Sequence, residues 1–78
     1  MARLRLFAAA REAAGTGTDE FDASTVQAVL NAAVGRYGDG FAAVLATSKV
    51  WVNGEPASES DAVAATDELA VLPPVSGG

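Results

Sequence analysis

Cysteine and histidine are both missing from this chain. Without cysteine there is no disulfide, no thiol nucleophile and no thiolate metal site. Without histidine the commonest metal ligand and general base is gone as well. A self-sufficient enzyme is therefore not expected. Large apolar side chains are scarce too: 18 of the 39 residues counted as hydrophobic are alanine, so the core must be thin and stability modest. Seventy-eight residues leave room for one core and no second domain. Cations are few, five against ten carboxylates, for a net charge of −5 and a pI near 4.3. That balance argues against nucleic acid, whose phosphates need basic patches, and fits docking onto basic partner surfaces. No apolar run approaches membrane-spanning length, and Arg11-Glu12 interrupts the alanine-rich start, so a cytoplasmic protein is expected.

What the chain does carry is a distinctive ending, Pro73-Pro74-Val75-Ser76-Gly77-Gly78, directly after the apolar run Leu69-Ala70-Val71-Leu72. The run reads as a buried strand. Two prolines disfavour helix and hold the exit extended. Gly77 and Gly78 have no side chains, so the last peptide units and a free carboxylate fit a slot too narrow for other residues. From Leu72 such a tail reaches roughly 20 Å, at about 3.3 Å per residue. Residues 1–72 are read as the domain and 73–78 as an extended functional tail.

Along the domain, Ala2 to Phe7 alternates, with Leu4 and Leu6 on one side and Arg3, Arg5 and Phe7 on the other, as in a strand with one buried face. Ala8 to Ala14 predicts a helical turn or loose connection closing at Gly15-Thr16-Gly17. Thr18 to Asp22 predicts a second strand with Phe21 inward; paired antiparallel with the first, it sets Glu20 and Asp22 beside Arg3 and Arg5. Ser24-Thr25-Val26-Gln27 has the pattern of a capping box with Ser24 as N-cap. The helix that follows carries Val26, Val29, Leu30, Ala33 and Tyr37 at helical spacing, with Val34 alongside, and ends at Gly38 to Gly40. Asp39 is placed to cap a shorter helix bearing Phe41, Val44 and Leu45. Lys49 to Val52 is β-rich, Asn53-Gly54 is a hairpin turn, and Pro56 confines the return strand to an edge. Ser58 to Asp67 reads as a polar loop pinned by Val63, and Glu68 to Leu72 as the last strand.

One helix stripe and one sheet face make the two apolar layers, so the helix lies across the sheet. The first and last strands are the most apolar and belong adjacent and parallel at the centre, joined by a right-handed crossover. The expected fold is α+β: a β-grasp, ubiquitin-like roll, with a mixed sheet on one main helix and a short second helix. Alternation then puts Leu4, Leu6, Val50, Val52, Leu69 and Val71 toward the helix. Phe7, Trp51, Ala70 and Leu72 fall on the open face, as an exposed apolar patch beside the tail root.

Two segments carry a resemblance. Phe7-Ala8-Ala9-Ala10-Arg11-Glu12-Ala13-Ala14-Gly15 resembles the F-A-x-x-R-E-x-x-G segment of the small subunit of molybdopterin synthase. Asp67-Glu68-Leu69-Ala70-Val71-Leu72-Pro73-Pro74-Val75-Ser76-Gly77-Gly78 resembles that family's ending, D-E-V-A-x-x-P-P-V-[STA]-G-G. Length and element order agree throughout. Thr66 stands where the family usually has glycine, which points to a different turn before the last strand. Ala10 and Ala13 replace bulkier apolar residues, which points to a lighter core there.

The resemblance implies a sulfur carrier that is not an enzyme on its own and binds no cofactor itself. An E1-like partner would use ATP and Mg²⁺ to adenylate the Gly78 carboxylate, and sulfur would displace AMP to leave a thiocarboxylate. The tail, Gly77 included, would then enter the large subunit of molybdopterin synthase and deliver sulfur to precursor Z. The implied docking residues are Phe7, Pro56 and Leu72; Trp51 joins them from alternation, and Pro73, Pro74, Val75 and Ser76 from the tail. Arg11 and Glu12 match the signature, with a structural ion pair or a partner contact as their two readings. Carriers for thiamine or cysteine synthesis and ubiquitin-like protein modifiers share the Gly-Gly end and remain alternatives, as does a plain interaction domain.

Overall fold

The computed structural model describes residues 1–74. Five strands and three helices follow in the order β1 (Ala2–Leu6), α1 (Ala8–Ala14), β2 (Thr18–Phe21), α2 (Val26–Tyr37), α3 (Asp39–Leu45), β3 (Lys49–Val52), β4 (Glu55–Pro56) and β5 (Glu68–Leu72). The sheet order is β2-β1-β5-β3-β4, with β1 and β5 parallel at the centre and the other pairs antiparallel. This is the β-grasp expected from the sequence. The two most apolar strands take the centre because both of their neighbours are sheet, and their inward residues meet the helix layer. Ala2, Leu4, Leu6, Leu69 and Val71 are buried against Val26, Val29, Leu30 and Ala33 of α2 and Phe41 of α3.

The turns are made by the residues that suit them. Asn53 and Gly54 both take positive φ (51° and 83°), as the two-residue hairpin joining β3 to β4 requires. The Asn53 side chain also donates to Asp67 Oδ1 at 2.9 Å and accepts from the Glu68 amide at 3.0 Å, which ties the hairpin to the start of β5. No glycine is needed before β5. Asp67 closes that turn itself, through its own amide to the Ala64 carbonyl at 3.0 Å and its carboxylate to the Ala64 amide at 2.7 Å. Thr66 therefore sits in a carboxylate-closed turn in place of a glycine turn.

Three local expectations need correction. The N-cap of α2 is Thr25 and not Ser24: Thr25 is extended, and its Oγ1 accepts from the Ala28 amide at 3.1 Å. The capping box does not form because the loop before β5 already serves the helix start. Its carbonyls at Asp61 and Glu59 accept from the Val26 and Gln27 amides, both at 2.9 Å. Gly38, with φ 94°, precedes α3 as its N-cap, so Asp39 begins the helix and makes no side-chain cap. Asp39 still favours the positive end of the helix dipole. Finally, Glu20 does lie opposite Arg3, but Thr18 lies opposite Arg5 and Asp22 falls beyond β2. Arg5 turns instead to Glu68, at 3.7 Å.

The remaining β2 carboxylate, Asp19, locks the strand to the end of α2. Tyr37 donates its hydroxyl to Asp19 Oδ2, and Arg36 Nη1 meets Asp19 Oδ1 at 2.8 Å. The Arg36 guanidinium also covers the Phe21 ring at 4.2 Å and reaches the Glu20 carbonyl at 3.4 Å. The Tyr37 hydrogen bond, with Arg36 beside it, holds the Asp19 carboxyl below its usual range. Partial burial, then the neighbouring carboxylate, push the Tyr37 phenol up to about 12.

Candidate docking face and tail root

The register of the sheet sets the open face row by row. Arg3 of β1 lies between Glu20 and Glu68; Arg5 lies between Thr18 and Ala70; Ala70 in turn faces Trp51, and Trp51 faces Pro56. At the end of β5, Leu72 pairs with Lys49. Phe7 stands one residue past the Leu6–Val71 pair with extended backbone (φ −126°, ψ 153°), and the Arg5 guanidinium lies 5.7 Å from its ring centroid. Phe7 is thus on the face shared by Arg5 and Leu72. Ala8 follows with φ 49°, a left-handed turn that costs a non-glycine residue roughly 1–2 kcal/mol. That turn swings the chain off the sheet into α1 and leaves Phe7 behind at the rim.

The apolar side chains on this face are less open than alternation suggested. Phe7 is 38% exposed and is, with Met1, one of two large apolar side chains exposed among the described residues. Trp51 and Leu72, expected exposed, are half-buried, as are Ala70 and Pro73. Trp51 lies between Ala70 and Pro56, and Ala70 between Arg5 and Trp51, so strand neighbours cover their flanks, while Leu72 has Lys49 on one side. Pro56 and Pro74 are exposed. The expected tail residues Val75, Ser76, Gly77 and Gly78 lie outside the described residues, so the face is followed as far as Pro74.

Arg11 and Glu12 are both exposed and form no ion pair among the described residues. The Arg11 carbonyl accepts from the Gly15 amide at 2.9 Å, and its side chain lies over Gly17, with Nε 3.6 Å from where a Cβ would sit. Gly15 closes α1 with φ 76°, a left-handed conformation that favours glycine, and the Arg11 side chain packs over Gly17 at ordinary contact distance. Among the described residues no three His, Cys, Asp or Glu side chains gather as a metal site. No helix among them is long and apolar enough to cross a membrane.

Two features were not read from the sequence. One is a groove of about 730 Å³ between α2, α3 and the β3–β4 edge of the sheet, lined by Leu30, Leu45, Lys49, Val50, Trp51 and Pro56 among others. Nothing in a linear pattern marks such a gap. The other is Lys49, the only lysine of the chain, which alternation with Trp51 places on the open face beside Leu72.

A five-stranded roll with a parallel central pair, and an apolar last strand leading directly into Pro73-Pro74, defines a ubiquitin-like β-grasp domain. The ThiS family profile matches residues 4–78, and the chain belongs to that family of small ubiquitin-like sulfur carriers. Among solved structures it is similar to SAMP1 from Haloferax volcanii, with 36% identity and a TM-score of 0.83 over 99% of this chain and 98% of that one. It is similar also to small archaeal modifier protein 1 from Methanosarcina acetivorans (26%, TM-score 0.88, 99% and 95%). A putative molybdopterin converting factor, subunit 1, from Pyrococcus furiosus shares the fold at 22% identity and a TM-score of 0.83, over 95% and 97% of the two chains. No curated protein matches.

Proposed function

We propose that this carrier delivers sulfur as a thiocarboxylate on Gly78, within a molybdopterin synthase whose large subunit grips the open face. The observation that carries the reading is the placement of the tail root: central strand β5 delivers Leu72 and Pro73 on the same rim as Phe7. A partner seated on that rim receives the tail. The two motif segments that resemble the small subunit of molybdopterin synthase meet at this rim, one at each strand end.

The chemistry belongs to the partners. A carboxylate is a poor electrophile until it carries a good leaving group. In the activation step the Gly78 carboxylate oxygen attacks the α-phosphorus of Mg²⁺-ATP on an E1-like enzyme, and pyrophosphate leaves. Sulfur at the sulfide level, as hydrosulfide, then adds to the acyl carbon and AMP departs, so that a thiocarboxylate remains with no change of oxidation state. Delivery of that sulfur to the pterin precursor, with water supplying the replacing oxygen, returns the carboxylate. Through all of this the chain supplies a threading end, with Gly77 and Gly78 offering no side chain to obstruct it, and a docking face of Phe7, Trp51, Pro56 and Leu72.

A second reading has its own support: the higher identity to SAMP1 than to the converting-factor subunit favours a protein modifier. The adenylate is the same, but a lysine amine of a target protein attacks it and an isopeptide bond forms. Carriers for thiamine or cysteine synthesis differ only in the acceptor of the sulfur. Reconstitution with the large subunit, a sulfur source and precursor Z tests the first reading. Molybdopterin formation dependent on the thiocarboxylated chain supports it; protein–lysine adducts without molybdopterin transfer the function to a modifier.

A further inference from the structure

Among the described residues the sheet ends at β2 on one side and β4 on the other, and a sheet edge turns unpaired backbone groups outward where a further strand can add. The ladder shows which groups these are. The Leu6 amide donates to the Gly17 carbonyl at 2.9 Å, so that opposed pair is hydrogen-bonded. Antiparallel pairs alternate, which makes Arg5–Thr18 and Arg3–Glu20 the pairs without mutual bonds. Thr18 and Glu20 therefore point their amides and carbonyls away from β1, to the open edge.

All four of these groups are engaged by side chains. The Thr16 hydroxyl donates to the Thr18 carbonyl at 2.9 Å and accepts from the Thr18 amide at 3.4 Å. Asp19 Oδ1 accepts from the Glu20 amide at 2.8 Å, and Arg36 Nη1 donates to the Glu20 carbonyl at 3.4 Å. The same Asp19 oxygen holds Arg36 at 2.8 Å and Tyr37 holds the other oxygen, so the cover on Glu20 is anchored from α2. The far edge is closed by simpler means. The Ala57 amide donates to the Val50 carbonyl at 3.0 Å, so alternation turns the backbone of Pro56, opposite Trp51, outward. A proline has no amide hydrogen to offer there.

We propose that Thr16, Asp19 and Arg36 form a cover over the β2 edge that keeps this chain from adding the β2 strand of a second copy. The bare edge is self-complementary. Turned antiparallel about Asp19, Thr18 of one copy falls opposite Glu20 of the other, and each such pair exchanges two hydrogen bonds through the groups now covered. With the cover in place the sheet stops at β2 and the chain stays a single copy.

Light scattering on size-exclusion chromatography of the full chain tests this. The unmodified chain should keep the mass of one copy, 7.8 kDa, at every concentration. Thr16→Ala/Asp19→Ala/Arg36→Ala loses one charge of each sign, so the net charge and its self-repulsion are unchanged. This triple variant should move toward twice the mass between about 0.01 and 1 mM, the range of a small interface. Adding Glu20→Pro removes an outward amide without touching the β1 ladder and should return the variant to one copy. Tyr37→Phe loosens the same corner but leaves the covers in place, and should stay a single copy. Should the triple variant not melt cooperatively in urea, Thr16→Ala/Arg36→Ala, which keeps the Asp19–Tyr37 bond, is read the same way. A folded variant that stays single over the whole range overturns the cover, as does an unmodified chain that already pairs. A dimer that Glu20→Pro leaves intact, or that Tyr37→Phe forms equally, overturns it too.

Discussion

Leu4 and Phe7 lie three residues apart on one strand path and should separate folding from docking. Leu4 is fully buried at the centre of the sheet, opposite Leu69 on one side and Asp19 on the other. Truncation to alanine removes about three methylene equivalents at about 0.8 kcal/mol each. With the cavity that remains, the cost rises to about 2–5 kcal/mol. A chain of this length has roughly 4–12 kcal/mol in total, so Leu4→Ala takes a large share of it. Phe7 is 38% exposed, and its part in the fold runs through its backbone, whose carbonyl accepts from the Ala10 and Arg11 amides. Alanine keeps that carbonyl, so Phe7→Ala should cost about 1 kcal/mol or less in folding, consistent with a half-exposed side chain. Docking should suffer more: a central aromatic anchor is worth about 2 kcal/mol, close to a thirtyfold loss of affinity. Denaturant melts and calorimetric titration against the large subunit on both variants measure the two costs separately. If Phe7→Ala unfolds the domain while Leu4→Ala does not, β1 is turned over and the proposed face is wrong.

Thr25→Ala should destabilise by about 1 kcal/mol through loss of the α2 cap, and Ser24→Ala by less than about 0.5 kcal/mol, measured by urea melts. Stability should also fall at both ends of the pH range. Asp19 and Asp67 have lowered folded pKa values, Asp19 chiefly through Tyr37 and Asp67 through the Ala64 amide and Asn53. Their contribution is complete above the unfolded carboxylate value of about 3.9 and is lost as pH drops through the lower folded values. Tyr37 has the opposite sign: its folded pKa of about 12 exceeds the unfolded value of about 10, so its contribution is lost as pH rises between them. Melts from acid to alkali on the unmodified chain and on Tyr37→Phe should show the alkaline limb flattened in the variant.

The strand order was legible because apolar density separates the centre from the edge: β1 and β5 alternate cleanly, whereas β4 carries Pro56 and β2 carries acids. The stripe of α2 was legible for the same reason, since Val26, Val29, Leu30 and Ala33 repeat with the helical period. The cap was misread by one residue because Ser24 and Thr25 are both competent caps. The choice was made by the distant Glu59 and Asp61 carbonyls, which local sequence does not reveal. The Asp19–Tyr37–Arg36 lock joins residues 17 and 18 positions apart, beyond the reach of any spacing rule. At the candidate site, alternation found Phe7, Trp51 and Leu72 but overstated the exposure of the last two, because it reports the side a residue faces and not what flanks it.

The proposed function stands or falls on activation of the Gly78 carboxylate and its exchange for a thiocarboxylate. Intact mass spectrometry after incubation with the E1-like enzyme, Mg²⁺-ATP and a sulfur source tests it most directly. The expected result is the mass gain of one oxygen replaced by sulfur, mapped to the peptide ending at Gly78, and no gain when Gly78 is deleted or one residue is appended after it. Sulfur transfer at full yield to the extended chain, or incorporation mapped anywhere other than Gly78, would contradict it.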